Sequence, residues 1–211
     1  WYGLVTNLEK QLSENLTAST DILKVAQDKE FLILASPSLY LASTVAQLLD
    51  VPSIKDGSTC IGVLTKGFVP SDKGPRLILE TLEDVLPPVY AKSLVYISGP
   101  SHAEEVVMGK LTGLIAASEN PMNSIRFREL LRVRGLMVYS SLDVVGVQIC
   151  AAAKNVIAVV FGSLDAVAET SDLFGDNTES LLLAAGLDEI RTLGFAMGST
   201  HAETFSSIAG V

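Results

Sequence analysis

The stretch Leu94-Val95-Tyr96-Ile97-Ser98-Gly99-Pro100-Ser101 contains the unit from which this chain is built. It starts as a short, continuous apolar run and ends in small residues, and a helical pattern begins at about residue 101. A run without polar alternation is typical of a strand that is buried on both faces of a sheet. Gly99 and Pro100 then indicate the turn that leads from the strand into the helix.

The same unit recurs on both sides of this stretch. Strands that alternate with helices in this way predict an α/β fold with a doubly wound, Rossmann-like parallel sheet. We expect helices on both faces of that sheet. The further apolar runs lie at 31–36, 60–64, 113–117 and 136–139, and helical patterns lie at about 38–49, 75–85 and 121–132.

The pattern changes near residue 140, after which no strand-like run follows. We therefore expect two domains, a βα domain over residues 1–140 and an all-helical domain over residues 141–211. The helices of the second domain are expected at about 143–168, 177–197 and 201–208.

The composition excludes several classes of protein. The 211 residues are 48% hydrophobic and 18% charged, which is too apolar for a disordered chain. The net charge of -9 argues against a general nucleic-acid binder and against a protein that binds anionic membranes. No signal-peptide pattern is visible near the start of the sequence. Cys60 and Cys150 are expected to be buried, reduced thiols of a cytosolic protein, and no zinc pattern is present.

Three loops follow directly on the first three strands. Because the carboxyl ends of parallel strands meet at one edge of the sheet, we expect these loops to form the functional edge. Lys66 can reach into a cleft there, although a solvated loop lysine is an equally simple interpretation. The loops are Ser36-Pro37-Ser38, Thr65-Lys66-Gly67 and Ser98-Gly99-Pro100-Ser101.

The third loop has the features of an anion site. Ser101 followed by Glu104 predicts a capping box, and the start of the helix would offer free N–H groups. Gly99 lacks the side chain that would block close approach of a ligand. An ordinary helix cap is the alternative interpretation. His102 is a candidate site residue only because it lies in this loop. Asp176 is likewise expected to cap the second long helix.

Lys154 is the most informative single residue. It is the only charged residue between Asp143 and Asp165, and its neighbours are small or apolar. Burial would lower its pKa and make it a candidate general base, with Asn155 beside it as a neutral donor and acceptor. Segment 144–164 is long enough to span a membrane. Its polar residues favour a helix in a protein core instead.

Several motifs together resemble one known family. Residues 97–106 (Ile97-Ser98-Gly99-Pro100-Ser101-His102-Ala103-Glu104-Glu105-Val106) resemble the signature loop of the NAD(P)-dependent glycerol-3-phosphate dehydrogenases, in their bacterial form. The resemblance covers essentially all 211 residues. The other matching motifs are Thr65-Lys66-Gly67, Gly146-Val147-Gln148, Ala153-Lys154-Asn155-Val156-Ile157-Ala158, Gly175-Asp176-Asn177-Thr178, Gly186-Leu187 and Thr204-Phe205.

The resemblance implies a cytoplasmic enzyme that interconverts sn-glycerol 3-phosphate and dihydroxyacetone phosphate and supplies glycerophospholipid synthesis. Hydride would pass to or from NAD or NADP, and no metal would take part. The expected partners are the small-molecule substrate and a second copy in a homodimer, with neither nucleic acid nor membrane. Lys154 would be the general base or acid. The substrate would be bound by Lys66, Gly99, Ser101 and Asn155. The cofactor would be contacted by Lys66, Ala103, Ser36 and Pro37.

The sequence also departs from the family. The strand and G-x-G-x-x-G turn that hold the cofactor pyrophosphate are absent, as is the later Arg-Asn pair that binds the substrate phosphate. We therefore expect a truncated Rossmann-like sheet followed by a partial helical domain. We also expect the 211-residue piece alone to be inactive while its parent protein is active.

Two rival functions remain open. The first is a related dehydrogenase that acts on a β-hydroxy acid or ketopantoate, because such enzymes also place a lysine and an asparagine on the first long helix. The second is a non-catalytic binding protein that has lost its nucleotide site. The Gly-Pro-Ser loop and Lys66 favour the glycerol phosphate substrate over the first. The joint presence of Lys66, Ser101, Lys154 and Asn155 argues against the second, because a protein without catalytic function has no reason to keep them together.

Overall fold

The sheet at the centre of the molecule has five strands that lie side by side in chain order. The computed structural model describes residues 13–72, 74–171 and 173–210. All five apolar runs of the sequence are confirmed as strands, with boundaries that agree within two residues. The strands are β1 (Phe31–Leu34), β2 (Cys60–Val63), β3 (Val95–Ser98), β4 (Thr112–Ala117) and β5 (Leu136–Ser141).

One pair of strands departs from the expected parallel arrangement. β1, β2 and β3 are mutually parallel, and β4 is parallel to β5, but β3 and β4 are antiparallel. The connection between β3 and β4 contains a helix of only five residues, Ala103–Val107, which is too short to carry the chain back across a sheet face. The α/β, Rossmann-like class is confirmed, whereas a wholly parallel sheet is wrong at this pair.

The helices surround the sheet and then continue beyond it. Those at 38–46, 78–85, 121–131, 144–168 and 176–196 confirm the helical patterns of the sequence, while two short ones near residues 22 and 52 were not expected. The α-helices are α1 (Ile22–Ala26), α2 (Ser38–Ala46), α3 (Pro52–Lys55), α4 (Ile78–Val85), α5 (Ala103–Val107), α6 (Pro121–Leu131), α7 (Val144–Ala168) and α8 (Asp176–Ala196); 3-10 helices lie at Pro88–Tyr90 and Ala202–Ser206.

The sheet separates two hydrophobic clusters, because side chains alternate between its faces. In β3, Val95 and Ile97 pack on one face around Phe127 of α6, and Tyr96 packs on the other. The second face is covered by α2, α4 and the beginning of α7. The sheet and the start of α7 therefore share one core.

The burial of helix α7 decreases along its length. Almost all of it from Val144 to Ala151 is buried, whereas Val156 is 65% exposed and Val159 is 70% exposed. It is also the one helix among the described residues that is long and apolar enough to cross a membrane, by length and composition alone. The expected core helix is thus confirmed for the first third of α7, and the expectation is wrong for the part after Asn155.

Candidate functional site

The loops after β1, β2 and β3 lie at the same edge of the sheet, because these three strands are parallel. A hydrogen bond joins the first two loops: the Thr65 hydroxyl donates to the Ser36 carbonyl oxygen at 2.7 Å. Thr65 is buried, so this bond holds the chain just before Lys66 in a defined place. This edge is called the β1–β3 edge below.

Helix α7 brings a second lysine toward this edge. α7 begins immediately after β5, whose carboxyl end lies at the opposite edge because β4 and β5 are antiparallel to β3. Ten residues of helix, about 15 Å at 1.5 Å per residue, separate Val144 from Lys154. That length is similar to the length of the strands, so α7 crosses the sheet face and carries Lys154 to the β1–β3 edge.

Lys66 and Lys154 influence each other electrostatically. Burial lowers the pKa of Lys66 from its ordinary value, and the positive charge of Lys154 lowers it further. Lys66 as a whole residue is exposed, so only part of its side chain is desolvated, and Lys154 is half-buried. Two like charges at one site attract an anion and raise the free energy of the empty site, and both effects are typical of a place that binds a charged ligand.

Ser36 supplies a polar atom without a partner at the same edge. Its hydroxyl oxygen is inaccessible to solvent and makes no hydrogen bond, and among the described residues only the Tyr96 hydroxyl shares this condition. Buried polar groups are normally paired, so an unpaired hydroxyl at this edge calls for an explanation such as a ligand that reaches it after a local side-chain movement. Pro37 follows Ser36 and precedes α2, in keeping with a loop that turns away at the strand end.

The loop after β3 is built differently from the sequence prediction. The residue that caps α5 is His102, without a side-chain hydrogen bond, and the Ser101 hydroxyl instead donates to the Gly99 carbonyl oxygen at 3.4 Å. The predicted capping box of Ser101 and Glu104 is therefore wrong, because α5 begins two residues after Ser101. A five-residue helix also offers a much weaker anion site than a long one.

Gly99 is required by packing as well as by any ligand. Its φ of 141° lies in a region that side chains rarely adopt, and a Cβ there would lie 2.4 Å from the Gly113 carbonyl oxygen of β4. Gly99 thus lets the chain turn tightly against the neighbouring strand. Ser101, Ala103 and Asn155 are exposed, so these three predicted site residues face open space.

Two buried polar residues that the sequence analysis did not place in the site anchor α7. Asp143 is its N-cap, and the Asp143 carboxylate accepts hydrogen bonds from the Gly146 N–H at 2.9 Å and from the Ser199 hydroxyl at 2.8 Å. Gln148 accepts from the Leu79 N–H at 3.0 Å. An Asp directly before a helical pattern is a readable cap signal, whereas no local pattern predicts the pairing of Gln148 with Leu79.

The remaining candidates take no part in this edge. Cys60 and Cys150 are buried and free, as expected, and burial raises the pKa of both thiols, that of Cys150 to about 12. The residue that caps α8 is Gly175, so the prediction for Asp176 is wrong by one position.

Among the described residues, no group of His, Cys, Asp or Glu could hold a metal ion. A cavity of about 290 Å³ lies at the opposite edge and contains none of the predicted site residues.

Sequence comparisons place this arrangement among known proteins. The profile described as NAD-dependent glycerol-3-phosphate dehydrogenase N-terminus matches residues 6–124, and the corresponding C-terminus profile matches residues 143–211. A glycerol-3-phosphate dehydrogenase [NAD(P)+] of Treponema denticola is 61% identical over 95% of this chain. The chain covers 58% of that relative's length.

Structural comparisons agree with this placement. The glycerol-3-phosphate dehydrogenase of Coxiella burnetii is 27% identical with a TM-score of 0.71, over 85% of this chain and 51% of that protein. The fold alone is shared with the glycerol-3-phosphate dehydrogenase of Saccharomyces cerevisiae, which is 24% identical with a TM-score of 0.78, over 94% of this chain and 56% of that protein.

Proposed function

Because this chain belongs to the NAD-dependent glycerol-3-phosphate dehydrogenase family, we propose that the whole protein interconverts sn-glycerol 3-phosphate and dihydroxyacetone phosphate. The chain spans about 58% of the length of the curated relatives that it matches, so the activity is proposed for the whole protein. The observation that carries the proposal is that α7 runs across the sheet face toward the β1–β3 edge, where the charge of Lys154 is close enough to lower the pKa of Lys66.

The two lysines suit an anionic substrate. The chain has a net charge of -9, so its overall field repels a phosphate ester. The two ammonium groups make the electrostatic potential positive at this edge. The repulsion between them decreases when an anion binds. A phosphate monoester carries about 1.5–2 negative charges at neutral pH and a carboxylate carries one. The lysine pair therefore favours a phosphate-bearing substrate over the β-hydroxy acids and ketopantoate of related dehydrogenases.

Lys154 is proposed to handle the proton of the reaction. In oxidation its neutral amine takes the proton from the C2 hydroxyl of glycerol 3-phosphate, and in reduction its ammonium group returns that proton to the C2 oxygen. Lys66 is proposed to hold the substrate and to stabilise negative charge on the reacting oxygen. Gly99, Ser101 and Asn155 are proposed to complete the substrate site from the loop after β3 and from α7.

The β1–β3 edge fits one end of a nicotinamide cofactor. NAD or NADP, when bound, accepts or supplies the hydride. Ser36, whose buried hydroxyl lacks a partner, is proposed to contact the cofactor together with Pro37, Lys66 and Ala103. The glycine-rich turn that holds a pyrophosphate does not occur in these 211 residues, so this chain contributes only part of the cofactor site.

The finer properties of the protein belong to the same proposal. We propose a dinucleotide-binding domain that ends near residue 140 and a helical substrate domain that follows it. The protein is proposed to act in the cytoplasm, to supply glycerophospholipid synthesis and to form a homodimer. The exposed apolar residues in the second part of α7 support an interface or further packing there.

The test compares substrates with the purified whole protein. Oxidation of NADH and of NADPH is followed with dihydroxyacetone phosphate, with ketopantoate and with 3-oxo acids. The proposal predicts turnover with dihydroxyacetone phosphate alone, and the two cofactor rates establish the cofactor preference. Turnover with the other acids would support the related dehydrogenases, and a folded protein that binds neither substrate nor cofactor would support the non-catalytic alternative.

A further inference from the structure

Gln148 joins two parts of the molecule through a buried side chain. It is 2% exposed, and both ends of its amide are used. The Gln148 carbonyl oxygen accepts from the Leu79 N–H of α4 at 3.0 Å, and the Gln148 NH₂ group donates to the Val144 carbonyl oxygen at 3.1 Å. The second bond lies within α7, whereas the first connects α7 to α4.

The connection to α4 replaces a missing local cap. The N-cap residue of α4 is Leu77, which has no side-chain hydrogen-bond acceptor for the free N–H groups of the first turn. Gln148 supplies an acceptor for one of these groups from a distant part of the sequence. The side chains of Leu77, Ile78 and Leu79 are buried, although Leu77, Leu79 and Gln148 also line the cavity of about 290 Å³ at the opposite edge. A water molecule in that cavity could pair with the Leu79 N–H, but unlike Gln148 it would not connect α4 to α7.

The start of α4 is also tied to the Lys66 loop. Val69 and Arg76 form an antiparallel bridge, with backbone hydrogen bonds of 3.0 and 2.9 Å, which brings the end of the loop back beside its beginning. Lys66 lies three residues before Val69, and Leu79 lies three residues after Arg76. The bridge between Val69 and Arg76 thus connects the segment that enters α4 to the segment that follows Lys66.

The other end of the path is Lys154. It lies six residues after Gln148 on the same uninterrupted helix, about 9 Å along the axis at 1.5 Å per residue. We propose that Gln148 is a positioning residue, which sets the separation of Lys66 and Lys154 by anchoring α7 to the first turn of α4. This inference rests on the proposed function, in which both lysines act on the same substrate.

The test uses the whole protein and the variant Gln148→Met, which keeps the length of the side chain and removes both polar groups. We expect kcat/KM for dihydroxyacetone phosphate to fall roughly 10–100-fold, mainly through kcat, since small displacements of reacting groups have effects of this size. We also expect the pKa of Lys66, measured by NMR of lysine side chains, to rise toward its ordinary value as Lys154 moves away.

Ser124→Ala is the matched control. The Ser124 hydroxyl is also fully buried and donates to the Ala116 carbonyl oxygen at 2.7 Å, but it joins α6 to β4 on the other face of the sheet. This variant should lose stability while kcat/KM stays within about threefold of wild type. Equal losses of kcat/KM in the two variants, with the pKa of Lys66 unchanged in Gln148→Met, would overturn the inference.

A second variant covers the case in which Gln148→Met does not fold. Gln148→Glu keeps an acceptor for the Leu79 N–H, and because burial favours the protonated carboxyl, its hydroxyl can still donate to the Val144 carbonyl oxygen. This variant should therefore retain kcat/KM within about threefold. A loss of tenfold or more, with normal stability, would contradict the proposed role. A wild-type protein without dihydroxyacetone phosphate turnover would refute the proposed function, whereas the NMR titration of Lys66 would still decide whether Gln148 sets the separation.

Discussion

The charged Lys66 side chain lowers the free energy of unfolding of the wild-type protein. Its pKa is lowered in the folded protein by burial and by Lys154. Below the lowered pKa both the folded and unfolded forms hold the proton, so the folded form carries the full penalty there. As pH rises through the lowered pKa toward the ordinary value of 10.5, the folded form loses its proton first and the penalty disappears.

The substitution Lys66→Met should therefore stabilise the whole protein while it reduces activity. The increase in Tm is expected to be largest at pH values below the lowered pKa of Lys66 and to shrink as pH approaches the ordinary lysine pKa, because the wild-type penalty vanishes there. Thermal unfolding across this pH range is the measurement. Lys24→Met, at an exposed lysine of α1, is the control and should show no such trend. A gain in Tm that is independent of pH would rule out the electrostatic explanation.

Gly99 should be intolerant of any side chain. Gly99→Ala combines an unfavourable φ with a contact of 2.4 Å to a backbone oxygen, and we expect a loss of about 2–5 kcal/mol in unfolding free energy. Gly74→Ala is the matched control, because Gly74 has a φ of 105° but open space around its Cβ position. It should lose about 1–2 kcal/mol. Equal losses in urea unfolding would show that the contact with β4 is unimportant.

At the residue scale the sequence predicted which side chains matter better than how they are held. Two features could be identified from the sequence alone: Lys154 is isolated in an apolar helix, and Lys66 follows a strand. The pairing of Gln148 with Leu79 spans 69 positions and leaves no local signal. Ser101 was misassigned because a Ser followed three residues later by Glu is only a statistical sign of a cap.

At the scale of elements, the anchor of α7 is its N-cap. Asp143 is 5% exposed and accepts from Gly146 and Ser199, so Asp143→Ala leaves two buried donors without a partner. We expect a loss of about 2–3 kcal/mol in unfolding free energy. Asp21→Ala removes the exposed cap of α1 and should lose about 1 kcal/mol or less. Chemical denaturation compares the two, and a smaller loss for Asp143→Ala would contradict the anchoring role.

The order of strands and helices was predictable because each apolar run is short and each is bounded by Gly, Pro or Ser. The antiparallel pairing of β3 with β4 was not, since strand direction depends on whether the connection crosses the sheet. The connection contains only the five-residue α5, and the sequence pattern that begins at about residue 101 did not show that this helix ends so early. The burial of α7 was likewise predicted only for the part that meets the sheet.

At the scale of the whole molecule, the exposed apolar side chains of the helical part predict how the 211-residue chain behaves when produced alone. Val159 and Leu181 are 70% and 71% exposed, and α7 and α8 carry several similar residues. Such surfaces favour self-association. We expect this chain to self-associate and to lack dihydroxyacetone phosphate turnover, and Val159→Glu should reduce the association, measured by sedimentation. Robust turnover by the isolated chain would contradict the expectation that it holds only part of the site.

The most direct test of the central claim is the rate of dihydroxyacetone phosphate-dependent NADH oxidation by the whole protein and its Lys154→Ala variant. Lys110→Ala, which removes a surface lysine paired with Glu105, is the matched control. We expect kcat to fall by about 10²–10⁴ for Lys154→Ala, as for the loss of a general acid or base, and to be unchanged for Lys110→Ala. A folded Lys154→Ala protein with wild-type kcat would contradict the account.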